Sequence, residues 1–120
     1  MSYDVYLVDP VTKETLHLEE PHHMFGGTYQ PGGTTEMWIN ITYNYASIFR
    51  KDHVLGSKGI ESIENLSGAE SMPLLENAIR NLGNDVHPNY WEPTEGNAKR
   101  ALGHLLALAR LRPDGIWTIH

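Results

Sequence analysis

Apolar and polar positions alternate strictly along one stretch of the chain and recur at helical spacing along two others. The alternating stretch is Glu36 to Tyr45, EMWINITYNY, with Ile39, Ile41, Tyr43 and Tyr45 on one side and Trp38, Asn40, Thr42 and Asn44 on the other. A period of two marks a strand with one face buried. Its second face carries asparagine twice, a residue depleted from strands, so that face is expected to be hydrated or to meet something polar. Tyr3 to Asp9 and Thr15 to Leu18 read as a hairpin, with turn chemistry from Asp9, Pro10 and Thr12. Near the other end, Pro113 to Gly115 reads as a turn and Ile116 to Ile119 as a short strand that rejoins the sheet.

Between these strands, Met72, Leu75, Ile79 and Leu82 recur at helical spacing behind a capping-box pair, Ser67 and Glu70, which predicts a helix over 69–82. Gly83 stands where a left-handed carboxyl cap belongs. Pro73 fits a first turn, which leaves Ser71 open as an alternative cap. A longer helix is expected over 95–111, started by Thr94 and stopped by Pro113. Ala98, Ala101, Leu102, Leu105, Leu108 and Ala109 form a stripe that Leu106, Ala107 and Leu111 widen, leaving a wet face around Lys99, Gly103 and Arg110. Such a helix is largely buried. From Ala46 to Leu66 the pattern is poor, with only Ile60, Ile63 and Leu66 at the spacing of one or two helical turns. Strands toward both ends with helices between them predict a single α+β domain over 1–120, a small, mostly antiparallel sheet packed against two main helices.

Composition narrows this picture. The chain has 120 residues, 40% hydrophobic and 20% charged, enough to bury one core and unlike a disordered segment. Its lack of cysteine excludes disulfide scaffolds, thiolate zinc sites, iron–sulfur clusters and cysteine nucleophiles. Nine Lys and Arg against fifteen Asp and Glu give a net charge of −6, which argues against direct binding to nucleic acid and permits docking on a basic partner. No basic leader and no membrane-length apolar run is evident, so neither secretion nor membrane insertion is expected.

The glycine-rich stretch HHMFGGTYQPGGTT, His22 to Thr35, is the first candidate for binding chemistry. Gly26, Gly27, Gly32 and Gly33 allow successive backbone N–H groups to converge on an anion, and Thr28, Thr34 and Thr35 add hydroxyls. The stretch matches neither standard nucleotide motif, has no lysine, and leads into a strand where those motifs lead into a helix. A pair of tight turns is the other reading. Tyr29, Asn40 and Asn44 complete this candidate ligand set. His22 and His23, close to His17, Glu19 and Glu20, are weak candidates for a metal, because neighbouring histidines on a strand point to opposite faces. No cofactor is implied. The segment YWEPTEGN places Tyr90, Trp91 and Glu92 just before the long helix, where aromatics either anchor a partner, together with Tyr29, or staple the helix start. No nucleophile elbow, S-x-x-K or recognisable carboxylate pair is present, so catalysis has little to stand on.

Two segments, HHMFGGTYQPGGTTEMWINITYNY and NYWEPTEGNAKRALGHLLALARLRPDGIW, together a little under half of the chain, resemble a group of small proteins encoded by bacteriophages and prophages. The resemblance carries over no activity and no site residues. It implies expression in a bacterial cytoplasm, where the Asn40-Ile41-Thr42 sequon has no meaning. The leading expectation is therefore a non-enzymatic binding protein acting on a host protein, such as a defence protein, or on a small molecule. A nucleotide or phosphorylated small-molecule pocket at Gly26 to Thr35 is the alternative, and a metal-dependent hydrolase or nuclease the third reading. Open sheet edges in a small β-rich domain also allow a homodimer.

Overall fold

Alternation along β1, Ser2–Val8, sends Tyr3, Val5 and Leu7 to one face, where all three are buried, and leaves Asp4 and Tyr6 half-buried on the other. The computed structural model describes residues 1–22 and 33–120. The strands that follow are β2 (His17–His22), β3 (Thr34–Glu36), β4 (Trp38–Thr42) and β5 (Ile116–Ile119). β1 is the centre of an antiparallel three-stranded sheet in the order β4-β1-β5, and β2 pairs with β3 in a separate antiparallel ribbon. The fold is α+β. Val5 lies opposite Ile39 and Ile119, and Leu7 opposite Trp117, on the inner face. Tyr6 lies opposite Trp38 and Thr118 on the outer one.

The helices are α1 (Ala46–Phe49), α2 (Gly68–Arg80) and α3 (Glu95–Leu111), with 3-10 turns at Tyr43–Tyr45 and Gly59–Ile63. α2 starts in the capping box the sequence predicts. Ser67 Oγ accepts from Glu70 N at 3.0 Å, and Glu70 Oε1 accepts from Ser67 N at 2.9 Å. Ser71 is therefore not the cap, and Pro73 sits in the second turn rather than the first. Its missing N–H is tolerated because Pro73 and Ala69, whose carbonyl that N–H would have met, are both exposed. α3 is capped by Thr94, which accepts from Asn97 N at 3.1 Å. α2 and α3 pack on each other, and their buried faces join Val5, Leu7, Ile39, Ile41, Phe49, Ile60, Ile63 and Trp117 in one hydrophobic cluster. Trp117 is completely buried, and its indole N–H donates to Ser71 Oγ at 2.7 Å, which in turn donates to Gly68 O at 2.8 Å.

Several expectations are corrected. Thr15 to Leu18 forms only a short hairpin with the end of β1: a bridge between Val8 and Thr15, flanked by bonds from Leu16 N to Leu7 O and from Asp9 N to Glu14 O. β4 takes that edge because Ile39 and Ile41 bury their side chains against the core there, and Thr15 to Leu18 diverges into β2. The strand expected over 36–45 breaks at Met37 and ends at Thr42, whose hydroxyl accepts from Asn44 N at 3.2 Å and turns the chain into the Tyr43–Tyr45 turn. Gly83 does not adopt a left-handed conformation, and its N–H donates to Glu95 Oε1 at 2.8 Å instead. The loop from Asn84 to Val86 then crosses the start of α3 so closely that a Cβ at Gly96 would meet Val86 N at 2.5 Å and the Asp85 carbonyl carbon at 2.6 Å.

Candidate functional site

The end of β4 and the segment before α3 meet in space, although nearly fifty positions separate Asn44 from Trp91. Asn44 Nδ2 donates to Trp91 O at 2.8 Å, and the buried Tyr45 hydroxyl donates to Tyr90 O. Tyr90 reaches back over the outer edge of β4, its hydroxyl 3.5 Å from Asn40 O, and its ring meets those of Tyr45 and Trp91 edge-on at 5.4 Å each. Burial pushes the Tyr45 hydroxyl up to about 12 and raises that of Tyr90 as well, so both stay protonated at any ordinary pH.

Asn97 locks the segment from below. It is 3% exposed, its Nδ2 donates to Asn89 O and Glu92 O at 3.1 Å each, and its Oδ1 accepts from His87 N at 3.0 Å. Asn89 Oδ1 accepts from Trp91 N at 3.1 Å. Trp91 thus has both its amide and its carbonyl fixed, while the residue is 46% exposed. Tyr43, 40% exposed, leans edge-on against Tyr3 with ring centroids 4.5 Å apart. The structure accordingly gathers Asn40, Asn44, Tyr90, Trp91 and Glu92 from two sequence segments into one ridge. Tyr90 packs inward as a staple does, and Trp91 does not.

Asn40 has a structural duty, since its Nδ2 donates to Ser2 Oγ at 2.6 Å and to Asp4 Oδ1 at 2.8 Å across the outer sheet face. Of the glycine-rich candidates, Gly26, Gly27, Thr28, Tyr29 and Gly32 lie outside the described residues, as does His23. Gly33 adopts φ of 69°, the left-handed conformation of a turn. Thr34 Oγ accepts from Glu36 N at 3.1 Å, and Thr35 Oγ bonds His17 Nδ1 at 2.8 Å, so both hydroxyls already serve the β2–β3 ribbon. His22 Nε2 donates to Glu36 O at 2.7 Å. Among the described residues, no three His, Asp or Glu side chains come together as metal ligands.

Two concavities have no counterpart in the sequence reading. A cleft of about 580 Å³ opens on the outer sheet face between Tyr6, Lys13, Thr15, Thr118 and His120, with Tyr6 stacked on Trp38 at 5.6 Å. A second cavity of about 410 Å³ lies where the end of α2 and the Asn84 to Val86 loop face α3. The signal for the first was the alternation of Trp117 with Thr118 and Ile119 with His120, which puts polar groups on the open face. For the second it was Gly103 beside two cationic residues on a helix otherwise rich in leucine and alanine. Compared with known protein families, curated proteins and solved structures, the chain matches none of them.

Proposed function

We propose that the protein is a non-enzymatic binding protein, acting in a phage or prophage setting, that docks a host protein through the exposed part of the ridge formed by Asn44, Trp91 and Glu92. The observation that carries this reading is Trp91, an exposed indole on a backbone held at both its amide and its carbonyl. An aromatic anchor that is already ordered loses little freedom on binding, and tryptophan is the residue type most enriched among binding hot spots. Glu92 beside it and the net charge of −6 favour a basic face on the partner.

The test is affinity capture from bacterial lysate with the wild-type chain, Trp91→Ala and Glu92→Lys as parallel baits, each checked by thermal melting. Because Trp91 lies outside the core cluster, its removal is expected to cost little more than its edge-on contact with Tyr90, about 1 kcal/mol, and to leave the chain folded. A partner held by the ridge should be lost by about 30-fold or more with Trp91→Ala, the scale of a hot spot worth about 2 kcal/mol. Glu92→Lys should weaken it further as salt is lowered. Equal capture by all three baits overturns the reading.

A further inference from the structure

α3 carries Lys99, Arg100, Gly103 and His104 along the side that faces the Asn84 to Val86 loop, and Ile79 and Val86 supply apolar walls to the cavity between them. Gly103 is the informative position. A mid-helix glycine weakens a helix relative to alanine, and at Gly96 the crossing loop explains the missing side chain. At Gly103 no atom lies within 4 Å of where a Cβ would stand, so packing does not require the glycine and the space above it stays open.

The charged side chains that line this space are cationic, Lys99 and Arg100, with His104 beside them. Among the described residues Arg100 has no ion pair or hydrogen bond, and Lys99 Nζ bonds only the neutral Asn84 Oδ1, at 2.7 Å. His104 is half-buried, its Nδ1 is buried without a hydrogen-bond partner among the described residues, and it feels the positive fields of Arg100 and His22. The nearby acids have partners of their own: Asp85 Oδ1, at the edge of the cavity, accepts from Gly96 N at 3.2 Å, and Glu95 accepts from Gly83 N at 2.8 Å and faces Lys51 Nζ at 3.5 Å. A cationic rim over apolar walls, in a chain of net charge −6, is complementary to an anion with an apolar body.

We propose that this cavity binds a small amphiphilic anion, its carboxylate or phosphate head held by Arg100 and Lys99 and its apolar body lying over Gly103 between Ile79 and Val86. The volume of about 410 Å³ suits a ligand of one ring or a short branched chain. The cavity lining shares no residue with the Trp91 ridge, and the site stands or falls independently of it.

The experiment is an amide NMR titration of the full chain with phenyl phosphate and with benzoate, using phenol and inorganic phosphate as controls that each carry half of the ligand. Saturable shifts centred on the amides of Gly96, Gly103 and His104 are expected with at least one of the two amphiphilic anions, and weaker ones with either half alone. The tighter of the two identifies the head group as phosphate or carboxylate. Arg100→Glu, on an exposed side chain, should weaken binding by about tenfold or more. Gly103→Leu should abolish it while raising the melting temperature, because it fills the cavity and improves the helix. If Gly103→Leu fails to fold, Arg100→Glu decides alone. Absence of saturable shifts at these amides with both anions, or an affinity that Arg100→Glu leaves unchanged, overturns the proposal.

Discussion

Ser71 is a polar residue in the core that accepts the indole N–H of Trp117 at 2.7 Å while its own hydroxyl donates to Gly68 O at 2.8 Å. Replacing it with alanine leaves a fully buried donor without an acceptor, and the cost of that is about 1 to 3 kcal/mol. Urea unfolding of Ser71→Ala should report a loss of this size, and near-ultraviolet circular dichroism should report a change in the Trp117 environment. At this scale the sequence was only partly legible. The Ser67 and Glu70 capping box could be identified from spacing because both partners lie within one turn. The Ser71 to Trp117 bond could not, because its two ends are far apart in the chain and nothing local marks either one.

At the scale of elements, α3 runs over the residues its apolar stripe predicts, and β5 rejoins the sheet as expected. Periodicity failed where the chain changed direction without changing polarity. Tyr43 and Tyr45 continue the alternation of β4, yet they belong to a 3-10 turn in which Tyr45 enters the core and Tyr43 reaches the surface. The candidate residues Asn44, Tyr90, Trp91 and Glu92 were legible one by one, but their convergence was not, since it depends on Asn44 reaching Trp91 O and on Asn97 holding the loop that precedes its own helix. Asn97→Ala removes three bonds at a buried position and leaves the His87 amide and two carbonyls without that partner. It should destabilise the protein by about 2 to 3 kcal/mol and speed hydrogen exchange of the His87 amide before that of the β1 amides. Exchange that accelerates uniformly would mean that the loop is not a separate cooperative unit.

For the molecule as a whole, His104 gives stability a pH dependence. Burial, reinforced by Arg100 and His22, holds its pKa below the ordinary value of 6.5 that it regains on unfolding. Between those two values the unfolded chain takes up a proton that the native one refuses, so this contribution is complete above 6.5 and is lost as the pH falls. The lowered carboxylates act later. Glu70, held by the Ser67 amide, and Glu95, held by the Gly83 amide, lose their contributions only as the pH drops through values under 4.5. His104→Leu should therefore flatten the difference between urea midpoints measured at about pH 7.5 and about pH 5.5. A wild-type difference that survives the substitution would assign the effect to another histidine.

The position of β1 between β4 and β5 also governs how the chain comes to be folded. Its bonded partners at Trp38–Thr42 are synthesised well before those at Ile116–Ile119. A nascent chain emerging from the ribosome thus carries a strand with both rows of backbone groups open, then with one row open until Ile116–Ile119 has been made. Contacts such as Val5 with Ile119 join residues very far apart in sequence, the kind of closure that slows folding and lengthens exposure to wrong partners. The half-finished sheet is therefore an aggregation-prone state, and overproduction in a cell short of chaperones should divert part of the protein into inclusion bodies.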